Sequence, residues 1–220
     1  MSTLYGPHHR AYQDQFDTRR LADNVERRVV EPVINDFHHD FIEARDMFWL
    51  ATVDHQGRPT VSYKGGDTGF VCVLDEVTLA FPSFDGNGMF YSMGNIAGNG
   101  QVGLLFTDFE KPYRLRIQGT ATIDENDPLL ADVYEAQLIV RVTVSEIFRN
   151  CPRYVHRYDK VTGSRYVPRD GEHTPLAGWK RSEEIQPDLP AKDHGRAEKE
   201  GGYRSYEEQT ELMRKGDPEA

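Results

Sequence analysis

Hydrophobic positions follow two different periods along the chain. Between residues 1 and 46 they recur about every four positions, which is the spacing of one apolar stripe on an α-helix. The residues of this stripe are Leu21, Val25, Val29, Val33, Phe37 and Phe41. Pro32 interrupts the series, and proline favours the first turn of a helix. We therefore predict two short helices, the second beginning near Pro32.

From Met47 the apolar residues alternate with a period of two, which is typical of β-strands. The predicted strands are Met47–Val53, Thr60–Tyr63, Phe70–Leu74, Val77–Phe81, Val102–Thr107, Tyr113–Ile123 and Gln137–Phe148. A turn at residues 54–57 makes the first two a hairpin. Many short strands with few helices between them indicate a mainly β protein, an antiparallel barrel or sandwich with flanking helices.

The composition changes again after about residue 160. The prolines at 168, 175, 187 and 190 interrupt any regular element, and residues 192–220 are almost all charged or polar. We divide the chain into a helical segment at 1–46, a β domain at 47–160 and an irregular, charged extension at 161–220. The extension is interpreted as a solvated tail with a helix over Tyr206–Lys215, or as an arm that wraps a partner subunit.

The charge balance excludes several classes of function. The 220 residues hold 26 Lys and Arg against 36 Asp and Glu, a formal net charge of −10, which argues against nucleic acid and anionic membranes as partners. No run of about 18 apolar residues and no apolar signal core is present, so we expect a cytoplasmic protein. Cys72 and Cys151 are expected to be apolar packing residues. The histidine spacing predicts no metal site.

One glycine-rich segment combines features of an anion site. Residues 83–89, Ser-Phe-Asp-Gly-Asn-Gly-Met, lead into a helix predicted over Gly88–Ala97. The first turn of a helix has unpaired N–H groups, and glycines let the backbone approach a phosphate. Asn87 or Ser83 could bind the ligand or cap the helix. The alternative is a capped turn without a ligand.

Three cations stand where strands could aim them at a ligand. Lys64 ends the second strand, ahead of Gly65 and Gly66, and is either a ligand contact or an exposed hairpin lysine. Arg114 and Arg116 share one face of the strand at 113–123. They either form a cationic pair for phosphate or carboxylate, or bind acidic residues on neighbouring strands.

Four segments together carry a family resemblance. The stretches "FWLATVDHQGRPTVSYKGG", "TLAFPSFDGNGMFYSMGNIAGNGQVGLLF", "YRLRIQGTATI" and "NCPRY" resemble the pyridoxamine 5′-phosphate oxidase-like, FMN-binding split-barrel proteins over residues 34–155. The resemblance implies a six-stranded antiparallel split β-barrel. It also implies a homodimer that binds two FMN molecules at its interface.

The resemblance also implies which residues bind the cofactor. Ser62, Tyr63 and Lys64 would line the flavin ring, with Pro82 and Ser83 beside it, and Asn87, Gly88 and Met89 would hold the phosphate. Arg114 and Arg116 match polar positions on the strand that reaches the flavin. The true oxidases have an Arg-Lys pair after this loop, where the present chain has residues 88–91. Backbone amides, or Lys64 with the two arginines, would then replace the pair.

The function implied is an FMN-dependent oxidoreductase that transfers hydride between a small substrate and the flavin. The alternative is a protein that binds or stores a flavin, deazaflavin F420 or another planar cofactor without turnover. The net charge of −10 disfavours F420, which has a long anionic tail. The C-terminal Trp and Arg-x-x-Leu-Pro-like element of the vitamin-specific oxidases is not matched, so no substrate is specified.

Overall fold

The N-terminal region forms three helices in a computed structural model that describes Ser2 and residues 4–218. They are α1 (Pro7–Gln15), α2 (Arg19–Val29) and α3 (Asp36–Glu43). The prediction that the second helix begins near Pro32 is wrong. The Asn35 side chain accepts a hydrogen bond from the His38 N–H at 3.0 Å, and this cap starts α3 at Asp36. The ends of the predicted segments, residues 1 and 220, lie outside the described residues.

Eight strands follow the order that the alternation predicted, with one addition near the N-terminus. Their bounds are β1 (Val30–Glu31), β2 (Met47–Val53), β3 (Pro59–Gly65), β4 (Cys72–Val73), β5 (Thr78–Ser83), β6 (Gln101–Asp108), β7 (Tyr113–Asp124) and β8 (Leu138–Asn150). Helix α4 (Tyr91–Gly98) lies between β5 and β6. It starts three residues later than predicted.

All eight strands belong to one antiparallel sheet. Its order is β3-β2-β6-β7-β8-β5-β4, and β1 pairs with β8 beside β5. The predicted six-stranded barrel is therefore not confirmed. The sheet has eight strands, and within the described residues its end strands β3 and β4 do not pair with each other. The broader prediction, a mainly antiparallel β fold with flanking helices, is confirmed.

The core lies on one face of this sheet and is centred on phenylalanine. Phe48 is fully buried, and its ring lies 5.0 Å from both Phe81 and Phe106 and 5.9 Å from Phe70 between centroids. In β7, Leu115 and Ile117 face the core while Arg116 is exposed, as the alternation predicted. The sheet thus has one apolar face and one face that carries charge.

A second compact unit begins at Gly163, whereas the first ends at Thr162. The second unit contains three 3-10 helices (Gly178–Arg181, Glu183–Asp188 and Ala191–Asp193), the short α5 (Arg196–Lys199) and α6 (Tyr206–Lys215). The predicted helix over Tyr206–Lys215 is confirmed. It is capped by Ser205, whose hydroxyl accepts from the Glu208 N–H. The remaining helices were not predicted. The Lys180 ammonium lies 2.7 Å from Asp193, and both side chains are buried.

Cys72 and Cys151 are both exposed, so the expectation that they pack in the interior is wrong. Among the described helices, none is long and apolar enough to span a bilayer.

Candidate functional site

A cavity of about 300 Å³ opens between the edge strand β3, the end of β5 and the start of α4. We call it the β3–α4 cavity. The segment that joins β5 to α4 contributes more lining residues than any other element. The lining residues are Thr60, Val61, Ser62 and Lys64 from β3; Ser83 from β5; Phe84 to Phe90; Tyr91 to Met93 from α4; and Gln137. Six of the ten predicted site residues therefore lie together in one cavity: Ser62, Lys64, Ser83, Asn87, Gly88 and Met89.

Lys64 is the cationic side chain of this cavity. It is half-buried, and burial lowers the pKa of its ammonium below the ordinary value. Within the described chain, no carboxylate lies within ion-pair distance of it. A buried charge costs free energy unless a partner compensates it. The cavity is thus suited to an anionic group at Lys64.

The first turn of α4 supplies backbone donors to the same cavity. The preceding residue, Phe90, makes no side-chain cap. In the described residues, the N–H groups of Tyr91, Ser92 and Met93 have no hydrogen-bond acceptor. These groups carry the positive end of the helix dipole, which favours anions. Asn87 was predicted to cap the helix or bind a ligand. Its side-chain oxygen instead accepts from the Met89 N–H at 3.1 Å within the loop.

A buried carboxylate fixes the start of α4 against the β2–β3 hairpin. Asp54 is 3% exposed and accepts hydrogen bonds from the N–H groups of Gln56 and Arg58, the Arg58 guanidinium and the Tyr91 hydroxyl. The Arg58 side chain and backbone hold the pKa of this carboxyl far below its usual range. The turn at 54–57, predicted as a simple hairpin connection, therefore also anchors the wall of the cavity.

A second buried attachment lies one helical turn along α4. The Asn95 amide donates to the Thr52 hydroxyl at 3.0 Å and to the Thr60 hydroxyl at 3.4 Å. The two hydroxyls are 2.8 Å apart across the hairpin. Buried polar groups that are mutually satisfied specify one packing arrangement. Helix α4 is thus held to the hairpin at two points, and its first turn faces the cavity.

Four of the predicted residues lie outside the cavity lining. Tyr63 alternates with Lys64 on β3 and is 62% exposed on the opposite face of the sheet. Pro82 is buried in β5, opposite Ile139. Arg114 donates to the Cys151 carbonyl at 2.6 Å, and the Arg116 guanidinium lies 5.8 Å from the centre of the Phe148 ring. Within one chain, therefore, Arg114 and Arg116 do not line the cavity that contains Lys64.

Several lining residues were missed in the sequence. Phe84 belongs to the glycine-rich segment, and Phe90 and Tyr91 follow it. Aromatic residues at such positions suit core packing as well as ligand contact. Gln137, whose amide donates to Asp85 at 3.1 Å, is 52 positions away in sequence. No local signal identifies such a contact. The exposure of three adjacent apolar residues, Met89, Phe90 and Tyr91, follows only from the fold.

The profile of the pyridoxamine 5′-phosphate oxidases matches residues 34–156, more than half of the 220-residue chain. The chain belongs to this family. Members of the family typically bind flavin-type cofactors and are commonly dimeric. The matched residues contain every strand from β2 to β8 and the whole cavity. No curated protein matches the chain.

Three solved structures are similar to this chain over about half of its length. HupZ of Group A Streptococcus is 20% identical over 57% of this chain and 99% of its own, with a TM-score of 0.44. A provisional pyridoxamine 5′-phosphate oxidase from Lactobacillus delbrueckii is 25% identical over 54% and 95%, with a TM-score of 0.45. An F420 reductase is 20% identical over 50% and 94%, with a TM-score of 0.39.

Proposed function

We propose that the protein is an FMN-dependent oxidoreductase that binds the cofactor in the β3–α4 cavity and transfers hydride between the flavin and a small substrate. The observation that carries the proposal is Lys64, a half-buried cation without an acidic partner in the described chain. It lines the same cavity as the uncapped first turn of α4. Both features favour a bound anion such as a phosphate.

The remaining lining fits the rest of such a ligand. Ser62 offers a hydroxyl group on β3, and Phe84, Met89 and Phe90 offer apolar contacts. Sites for planar cofactors combine apolar walls with a few placed polar groups. A bound flavin would supply the hydride chemistry, while the chain binds and orients it and excludes water. The titratable side chains of the lining are Lys64, Asp85 and Tyr91.

The homodimer belongs to the same proposal. Tyr63, Trp49 and Leu105 lie opposite one another across β3, β2 and β6, and Arg116 continues this row on β7. Residues directly paired in a sheet share a face, so these four side chains form an apolar outer row that ends in a cation. We propose that a second copy of the chain covers this row.

The test of the cofactor is a titration of the purified protein with FMN, followed by flavin absorption and fluorescence. Lys64→Ala should weaken binding by about 1–2 kcal/mol, as expected for one charge-assisted hydrogen bond. Lys160→Ala is the matched control, since Lys160 is paired with Asp46 outside the cavity lining. An equal dissociation constant for Lys64→Ala and wild type would contradict the proposed site. A wild type that binds no FMN would contradict the cofactor.

Turnover separates an oxidoreductase from a protein that only binds or stores the flavin. Anaerobic photoreduction of the FMN complex, followed by addition of candidate acceptors, should show acceptor-dependent reoxidation. Candidate donors should reduce the oxidised complex in the dark. Flavin that no donor reduces and no acceptor reoxidises, in a protein that binds FMN tightly, would indicate the storage role instead. Parallel titration with F420 compares the two cofactors directly.

A further inference from the structure

Phe90 adopts a backbone conformation that a bulky residue rarely occupies. Its φ is +47° and its ψ is +29°, in the left-handed region. Contact between Cβ and the following carbonyl makes this region unfavourable for residues other than Gly, Asn and Asp. Positive φ at non-glycine residues also occurs at Asp17, Glu135 and Tyr154. Of these four, Phe90 is the one that lines the cavity.

The surrounding contacts hold this conformation in place. The Phe90 carbonyl accepts the Gly94 N–H at 2.7 Å, as the first hydrogen bond of α4. The next residue, Tyr91, donates its hydroxyl to the buried Asp54 at 3.2 Å. Such strained residues persist where the neighbouring structure determines them, and they concentrate at functional sites.

Packing within the chain does not account for a phenylalanine here. The side chain is 51% exposed, and its ring makes no aromatic or cation–π contact with any described residue. Asparagine or glycine would adopt the same backbone with less strain. The strained phenylalanine thus holds an exposed ring in the lining of the cavity, next to Met89, which is 66% exposed.

We propose that Phe90 is a cofactor-binding residue whose ring contacts the planar aromatic part of the bound cofactor. The inference rests on the proposed function, because it needs a ligand in the β3–α4 cavity. At about 300 Å³, the cavity is at the lower end of ligand sites. A bound flavin would therefore extend beyond the enclosed space, and the exposed Phe90 ring in the lining would cover part of it.

The experiment measures the FMN dissociation constant and the ligand-free Tm for wild type and three variants. Phe90→Asn removes the ring and suits the left-handed backbone. It should weaken FMN binding roughly threefold to tenfold, as expected for one aromatic contact, while the ligand-free Tm stays equal or rises. Phe90→Tyr keeps the ring and should bind FMN within about twofold of wild type, since the aromatic contact is retained.

Glu135→Asn is the control for backbone strain. Glu135 has a φ of +54°, is exposed and does not line the cavity. This variant should leave FMN binding unchanged, with a Tm equal to or above that of wild type. A weakened affinity confined to Phe90→Asn would then be due to the missing ring and not to relief of strain.

The remaining outcomes overturn the inference. Unchanged FMN binding by Phe90→Asn would show that the ring makes no contact. A lowered Tm for Phe90→Asn would show that Phe90 is a packing residue, and equal weakening by Phe90→Tyr and Phe90→Asn would show that the ring is not recognised. A wild type that binds no FMN contradicts the proposed function itself, which distinguishes that failure from failure of the role of Phe90.

Discussion

Asp54 shows how a single residue of the hairpin turn supports the cavity at a distance. Its carboxylate accepts from the turn backbone, from the Arg58 guanidinium and from the Tyr91 hydroxyl on α4. Replacement by asparagine keeps the shape but removes the charge that these donors stabilise. Phe90, which precedes Tyr91, depends on the same anchor.

Asp54→Asn should lower the Tm at neutral pH, and the loss should shrink in acid. The pKa of Asp54 is lowered in the folded protein by its hydrogen bonds to Arg58, whereas that of an unfolded aspartate is about 3.9. The carboxylate therefore stabilises the fold above about pH 4, and this contribution is lost as the pH falls further. Thermal unfolding between pH 3 and pH 8 measures the difference. Glu125→Gln, at an exposed site, is the control. If the Tm difference between wild type and Asp54→Asn does not narrow in acid, the stabilising role of the Asp54 carboxylate is contradicted.

For single residues, the sequence predicts which side chains belong to the site better than it predicts the face of the sheet to which each side chain points. Lys64 could be singled out because it ends a strand ahead of two glycines, and the structure places it in the cavity. Its neighbour Tyr63 was grouped with it by resemblance, yet strand alternation turns the Tyr63 side chain to the other face. The link from Asp54 to Tyr91 spans 37 positions, and no local pattern specifies it.

At the scale of elements, period and turn chemistry predicted the strands well and the starts of α3 and α4 poorly. Strand β2 has the predicted bounds, and β7 differs by one residue, because alternation over a buried face is a strong signal. The start of α3 depends instead on the Asn35 cap, which competes with Pro32 for the same role. Strand β1 has only two residues and forms only by pairing with β8, so its own sequence gives no signal.

Gly119 is a glycine that the close pairing of β7 with β8 requires. The register between β7 and β8 shifts between Gln118 and Gly119. A Cβ at Gly119 would lie 2.3 Å from the Thr143 carbonyl oxygen, which is backbone and cannot rotate away. Gly119→Ala should therefore destabilise the protein by about 1–3 kcal/mol, the usual range for overpacking. Urea unfolding measures this effect.

Gly103→Ala on β6 is the matched control for that substitution. The atom nearest its new Cβ would be the Ala51 Cβ at 3.7 Å, an ordinary contact. Its unfolding midpoint should stay close to that of wild type. Equal urea midpoints for Gly119→Ala and Gly103→Ala would contradict this prediction. They would show that β7 and β8 move apart at the register shift without loss of stability.

At the scale of the whole molecule, the proposed dimer can be tested by a substitution in the outer row of the sheet, which consists of Tyr63, Trp49, Leu105 and Arg116. Tyr63 is 62% exposed and lies opposite Trp49, which in turn lies opposite Leu105. The Tyr63→Asp carboxylate is tolerated in a single chain because the position faces solvent. In a dimer that covers this row, it would be a desolvated charge without a partner, which costs several kcal/mol.

Sedimentation equilibrium with FMN should therefore give twice the mass of one chain for wild type and the mass of one chain for Tyr63→Asp. Tyr12→Asp is the control, because Tyr12 is 66% exposed on α1 and not part of the sheet. If the partner completes the cofactor site, FMN binding should also fall in Tyr63→Asp at low protein concentration and recover as the concentration rises, since dimerisation follows mass action. A wild type that sediments as one chain with FMN bound would show that the cavity of a single chain is sufficient, and the outer row would then need no partner.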